Sequence, residues 1–208
     1  MTILHISDTH GQHTKLANLP AADIIVHSGD FTFGGSEQEA IDFMQWFCDL
    51  PYKHKAFIAG NHDMCMYGAD KIEGLPENVH YLCNSSVVID GVKFYGLPMF
   101  MEDVMDGTYD KLISAIPDDT DVLVTHQPPY GILDGGEYHG KQDFHYGDYK
   151  LYAKVLDVKP KLHLFGHDHN VYGFEEHFGT VFSNAAVVDS HYVLKKETPL
   201  TYNIIAVR

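Results

Sequence analysis

The feature that most constrains this chain is a repeated pairing of a short apolar run with an Asp, Asn or His a few residues later. Ile3 to Ile6 leads into Asp8-Thr9-His10, Ile24 to His27 into Gly29-Asp30, and Ala56 to Ala59 into Gly60-Asn61-His62-Asp63. Val122 to Thr125 is followed by His126, and Leu162 to Phe165 by Gly166-His167-Asp168-His169. Short apolar runs bounded by Gly, Asp and Asn read as buried strands. In sheets built from βαβ units, ligands collect beyond the carboxyl ends of the strands, so residues scattered along most of the chain can converge.

These fragments supply carboxylates, an amide oxygen and imidazoles, and no thiolate. Such a set suits two adjacent octahedral sites of the Mn, Fe, Zn or Mg type with one carboxylate shared between them. Two ions about 3.5–4 Å apart clamp both the attacking and the leaving oxygen of an in-line phosphoryl displacement. The residues therefore point to a binuclear metal-dependent phosphoesterase. A lone Asp-x-His, Gly-Asp or His-x-His is ordinarily a turn, a cap or a core pair. Five such fragments in order, each after an apolar run, are far more specific.

The rest of the chain bounds that reading. At 208 residues and 45% hydrophobic it is long enough for one well-filled core and short for two, so a single domain over 1–208 is expected. No apolar stretch approaches the roughly 18 residues of a membrane span, and Met1-Thr2 runs straight into a strand without a signal-like segment, which suggests the cytoplasm. Cys48, Cys65 and Cys83 are odd in number and widely spaced, which fits neither a disulfide framework nor a zinc knuckle. A formal net charge of −15 disfavours sustained contact with a polyanion, so a small phosphoester is favoured over extended nucleic acid. Oligomeric state is not readable.

Ser36-Glu37-Gln38-Glu39 is a capping-box start, and Ala40, Ile41, Met44, Phe47 and Cys48 then recur at helical spacing until Pro51. Tyr109 to Ile116 and Tyr149 to Leu156 are two further helices. Val87 to Ile89, the Asp90-Gly91 turn and Lys93 to Tyr95 form a hairpin, with Val181 to Phe182 and Tyr202 to Val207 as closing strands. Periodicity alone yields α/β or α+β.

Ile3 to His10, His27-Ser28-Gly29-Asp30, Gly60-Asn61-His62-Asp63, Thr125-His126-Gln127-Pro128-Pro129 and Phe165-Gly166-His167-Asp168-His169 resemble the signature of calcineurin-like metallophosphoesterases. The runs Leu50 to Gly60 and Lys159 to Leu164 resemble a narrower branch, the small metallophosphoesterase-domain proteins first described in brain, with bacterial and viral relatives. The resemblance covers nearly the whole chain. It implies a four-layer αββα sandwich, two mixed β-sheets flanked by helices, with a metal site at the carboxyl ends of the strands. It also implies two divalent ions, Mn foremost, with Fe, Zn, Ni or Mg as alternatives.

In an extended segment, Asp8 and His10 would point to one side and could hold a single ion. Gly29, lacking a side chain, would let the chain beside Asp30 approach the metals closely. The resemblance makes Asp30 the bridging carboxylate. It places Asp8, His10, Asp30 and His169 on one ion, and Asp30, Asn61, His126 and His167 on the other. By the same resemblance, His62 contacts the scissile phosphate and assists the leaving oxygen, while a hydroxide bridging the ions attacks in line. Asp63 is placed to accept from the other ring nitrogen of His62.

His5, His27 and His163 lie inside apolar runs and read as core histidines, and His54 and His80 as exposed or rim residues. Tyr130 to Tyr146 follows His126 and is rich in Gly, aromatics and charge, so its His139, Asp143 and His145 are candidate substrate contacts or plain surface residues. Tyr67 is a candidate wall of the pocket. Met64-Cys65-Met66-Tyr67 stands where protein phosphatases of the superfamily carry an arginine, and the sole arginine is Arg208. Dianionic monoesters are best held by guanidinium forks. A phosphodiesterase for nucleotidyl, cyclic or aryl diesters is therefore favoured over a phosphomonoesterase or nucleotidase. A non-catalytic scaffold is a further alternative, disfavoured because every motif position is intact.

Overall fold

Successive side chains of a strand face opposite ways, and in β1 (Thr2–Ile6) both faces are buried from Ile3 onward. Such a strand needs cover on two sides, which is the reason for the layered architecture. The computed structural model describes residues 1–138, 141–195 and 199–204, with backbone alone for 136–138 and 141–143. The chain continues through β2 (Ile24–His27), α1 (Glu37–Asp49), β3 (His54–Phe57), β4 (Val79–Tyr81), β5 (Ser85–Ile89) and β6 (Val92–Leu97). Then come α2 (Met101–Asp106), α3 (Thr108–Ser114), β7 (Val122–Thr125), β8 (Gly135–Tyr138) and β9 (Lys141–His145). It ends with α4 (Tyr149–Val158), β10 (Leu162–Phe165), β11 (Gly173–His177), β12 (Thr180–Asn184) and β13 (Leu200–Asn203).

One sheet has the order β13-β1-β2-β3-β4, all parallel except β13. The other runs β11-β12-β10-β7-β6-β5, with its four central strands parallel and both edges antiparallel. Ile3, Ile24, Val26, Val122, Val124 and Leu164 fill the space between the sheets. Leu4, Ile6 and Ile25 pack outward against Phe43 and Phe47 of α1. On the far side, Leu123 and Phe165 pack against Ile113 of α3 and Leu151 and Val155 of α4. This is the αββα sandwich that the motifs implied.

The local signals act as expected at most ends. Ser36 Oγ accepts from the Glu39 amide at 3.3 Å while Glu39 returns a bond to the Ser36 amide at 3.1 Å, the reciprocal box that starts α1. Asp90 and Gly91 both have positive φ (48° and 81°), which turns β5 into β6. The last strand is β13 at Leu200–Asn203, and residues 205–208 lie outside the described residues. Five elements carried too little periodicity to be read: β4, α2, β11, and the strands β8 and β9 of the hairpin inside Tyr130 to Tyr146. No helix among the described residues is long and apolar enough to cross a membrane.

Candidate metal centre

The five parallel strands that precede the motif residues, β1, β2 and β3 in one sheet and β7 and β10 in the other, open their carboxyl ends onto one cleft. The two sheets meet there through a parallel bridge between Ser7 and Ala186. Asp8 and His10 do not sit in extended backbone as their spacing suggested. Their φ angles are 55° and 42°, and Asp30 (57°) and His167 (69°) share that left-handed region. A non-glycine residue there costs of order 1–3 kcal/mol and persists where surrounding structure enforces it. The enforcement is visible in the backbone: Asp8 N donates to Gly29 O at 3.0 Å and His10 N to Asp30 O at 3.0 Å.

Glycines make the approach possible. A Cβ on Gly29 would lie 2.6 Å from His126 Nδ1, one on Gly60 2.3 Å from Asp30 Oδ1, and one on Gly166 2.0 Å from Asp8 Oδ2. Each motif glycine therefore vacates the volume that a neighbouring candidate ligand fills.

All seven candidate ligands converge. His169 Nε2 lies 3.2 Å from Asp8 Oδ1 and 3.3 Å from His10 Nε2. Asp30 Oδ2 lies 3.6 Å from His10 Nε2 and 3.3 Å from His126 Nε2. Asn61 Oδ1 lies 3.0 Å from His126 Nε2 and 2.9 Å from His167 Nδ1. The outer nitrogens of three rings donate to backbone carbonyls: His10 Nδ1 to Thr32 O, His126 Nδ1 to Ser28 O and His169 Nδ1 to Asp189 O. A carbonyl only accepts, so Nδ1 carries the proton and Nε2 of the neutral ring presents a lone pair. Lone pairs of His10, His126 and His169 thus face one another and the oxygens of Asp8, Asp30 and Asn61. A cavity lined by acceptors fits divalent cations. Asp8, His10 and His169 form one compact group, and Asp8, Asp30 and His126 another.

Without cations, protons redistribute over the same groups. Burial pushes the Asp8 carboxyl up, but the His169 hydrogen bond and the surrounding imidazoles outweigh it and hold it well below the carboxylate range. Asp30 falls to about 2, because His126 overcomes its burial. His126 rises to about 9, since Asp30 more than offsets the burial that would lower it. His167 drops to about 4 through burial and the neighbouring His126.

His62 stands beside these groups, its ring 4.7 Å from that of His10, and its backbone N donates to Asp30 Oδ1 at 2.8 Å. It also groups with His10 and Asp30 as a possible third ligand cluster. Its orienting partner is not Asp63, which corrects the sequence reading: His62 Nδ1 donates to Phe33 O at 2.9 Å. Asp63 is fully buried and already saturated. Its Oδ2 accepts from the amides of Gly60, Asp30 and Phe31, and its Oδ1 from the amide and hydroxyl of Thr32. Burial and the Asp30 carboxylate push the Asp63 carboxyl up to about 7 against those five donors, which favour the anion. Asp63 is a brace joining the β2 and β3 loops.

The cleft has a volume of about 200 Å³, lined by Asp30, Asn61, His62, Tyr146, His167, Asp168, His169, Asn170, Ser190 and Tyr192. Tyr67 is not among them; it is 47% exposed and packs edge-on against Phe100. His145 is also absent, because its Nδ1 bonds Asp134 Oδ1 at 2.9 Å. The other oxygen of Asp134 accepts from the amides of Gly131 and Gly147, so the pair staples the ends of this loop. His139 and the side chain of Asp143 lie outside the described residues. The loop does reach the cleft through Tyr146, whose ring is 6.1 Å from that of His167. Ser190 and Tyr192 were not legible as site residues, since neither follows an apolar run with a ligand-type neighbour; Tyr146 lies at the end of the singled-out loop and Asn170 directly follows His169, but neither was picked out as a contact. His5, His27 and His163 are core residues as expected, bonded to Ser183 and Ser28, to Thr9, and to Thr125 respectively.

This geometry agrees with comparisons to known proteins. Residues 1–171 match the family model of calcineurin-like phosphoesterases, and the chain belongs to that family. A UPF0046 protein of Caenorhabditis elegans is 34% identical over 209 residues, covering 89% of this chain and 69% of its own length. Human metallophosphoesterase domain-containing protein 1 is 31% identical over 220 residues, covering 90% of this chain and 66% of its own length. A crystal structure at 16% identity superposes with a TM-score of 0.63 over 88% of this chain and 89% of its own, a likeness of fold.

Proposed function

We propose that the protein is a binuclear metal-dependent phosphodiesterase acting on small diesters. The observation that carries the reading is the ring of inward lone pairs. Asp8, His10, Asp30 and His169 would hold one divalent ion, and Asp30, Asn61, His126 and His167 the other, with Mn the expected metal. Bound cations supply the charge that stabilises a phosphoryl transition state and lowers the pKa of water.

The chain's own groups do the remainder. With Nδ1 tied to the Phe33 carbonyl, His62 can present only Nε2 to the cleft. Protonated there, it gives its proton to the departing ester oxygen, a contribution typically worth about 10²–10⁴-fold. The backbone bond from His62 N to Asp30 Oδ1 couples the position of this acid to the shared carboxylate.

Preference for a diester follows from the lining. Among the described residues no lysine or arginine lines the cleft, whereas Asp30 and Asp168 do. Asp168 Oδ2 is buried without a hydrogen-bond partner. A monoester dianion would face these carboxylates with no guanidinium fork to hold it, and a diester carries one charge fewer. Rates on bis(4-nitrophenyl) phosphate and 4-nitrophenyl phosphate with Mn²⁺ test this. The diester should be the better substrate; preference for the monoester would overturn the assignment.

A further inference from the structure

Beside His62 stand two aromatic rings to which the preceding mechanism gives no task, Tyr192 in the cleft lining and Phe33 just outside it. Phe33 stands 55% exposed beside the candidate metal ligands. Its backbone is anchored, N donating to Glu39 Oε1 at 3.0 Å and O accepting from His62 Nδ1 at 2.9 Å, and its ring meets that of His10 edge-on at 6.3 Å. Its ring centroid lies 5.2 Å from that of Tyr192 at 82°, and 6.4 Å from that of His62.

Tyr192 is equally fixed. Its carbonyl accepts from Gln12 Nε2 at 2.6 Å and its amide donates to Asp189 O at 2.9 Å. Its ring meets His10 edge-on at 4.9 Å and lines the cleft. Two pre-positioned aromatic rings, nearly at right angles, thus border the region where an ester oxygen would leave. Rings held before binding lose little freedom when they grip a ligand, and an exposed aromatic ring accepts a planar ligand ring by stacking or edge contact. Asn170 and Ser190 add polar groups to the same cleft, the usual complement to an aromatic wall.

We propose that Phe33 and Tyr192 form a subsite for a planar aromatic ester substituent, an aryl ring or a nucleobase, beside the phosphorus. The inference rests on the phosphodiesterase reading and names the substrate feature that its site selects. An aliphatic substituent has no π-face to offer these rings and gains less there.

The test is calorimetric binding to the Mn-loaded protein of inorganic phosphate and of two matched pairs. These are diesters: methyl phenyl phosphate against dimethyl phosphate, and the methyl diester of adenosine 5′-phosphate against that of ribose 5-phosphate. Ring stacking should favour the aromatic member of at least one pair by about 5- to 150-fold. The pair that shows the preference tells aryl from nucleobase. Phe33→Ala and Tyr192→Leu should each collapse that ratio, while Tyr192→Phe, which keeps the ring, should retain it. Equal binding within both pairs, or a ratio that survives both ring deletions, overturns the inference while leaving phosphate binding intact. If none of the five ligands binds, the phosphoester reading falls and takes this one with it.

Discussion

Replacing Asp63 by Asn separates two accounts of a fully buried carboxylate beside the candidate ligands. Five donors converge on it, at 2.8, 2.9 and 3.3 Å on Oδ2 and at 2.8 and 2.9 Å on Oδ1. An amide keeps one oxygen and turns an NH₂ toward the donors on the other side. With the oxygen at Oδ2, the Thr32 amide loses its acceptor; with the oxygen at Oδ1, three amides do. A buried donor left unsatisfied costs about 1–3 kcal/mol, so one or two effective losses plus the missing charge come to about 2–5 kcal/mol. In a domain of about 150–250 residues each kcal/mol moves the melting temperature by about 2–4 °C, so a drop of about 4–20 °C is expected. Thermal melts and urea unfolding of the metal-free protein measure it without reference to activity. A melting temperature within about a degree of the parent, with turnover lost, would refute the brace. It would mean that the carboxyl is held protonated or orients His62 after all.

Three further outcomes follow from the same geometry. Burial lowers His5, His27 and His163 to about 3, so the unfolded chain, whose rings titrate near 6.5, binds more protons between those values. Their contribution is full above about pH 6.5 and is lost as pH falls toward 3, by up to about 1.4 kcal/mol per pH unit for each ring. Urea unfolding in EDTA across that range should show this slope, and His163→Gln should remove about one ring's share; a flat profile contradicts it. Gly166→Ala places a methyl 2.0 Å from Asp8 Oδ2 and 2.1 Å from Ser7 Oγ. It should cost about 1–3 kcal/mol or more and weaken metal retention, read by melting and elemental analysis, and unchanged metal content would argue that Asp8 is not a ligand. His145→Ala removes the ring bonded to Asp134 and should raise proteolytic cleavage in 130–147 while metal content holds. Loss of a metal ion instead would move His145 into the site.

Much of the fold and nearly all of the candidate ligand set were legible in the sequence, for a physical reason. Parallel strands buried on both faces read as short apolar runs, and a site at their carboxyl ends puts each ligand beside its strand in sequence as well as in space. Asp8, Asp30, Asn61, His126 and His167 are of that kind. What stayed hidden depends on contacts between distant loops. Asp63 sits next to His62 in sequence, yet its donors come largely from 30–32, and no local pattern reveals that the Phe33 carbonyl holds the His62 ring. Tyr192 and Ser190 enter the cleft from a segment with neither helical nor strand periodicity. His145 had the composition of a substrate contact, and only the position of Asp134 shows that it is spent on the loop. The left-handed backbone at Asp8 and His10 was likewise invisible, since nothing in Asp-Thr-His forbids extension.

The central claim is that Asp30 is shared by two cations a few Å apart. Electron paramagnetic resonance of the protein reconstituted with Mn²⁺ tests it without any substrate. Two equivalents bound together through one carboxylate should give an exchange-coupled dimanganese signal, and Asp30→Asn should reduce it to uncoupled or weakly held ions. A wild-type protein that binds a single Mn²⁺, or two with no magnetic coupling, would contradict the binuclear centre and the mechanism built on it.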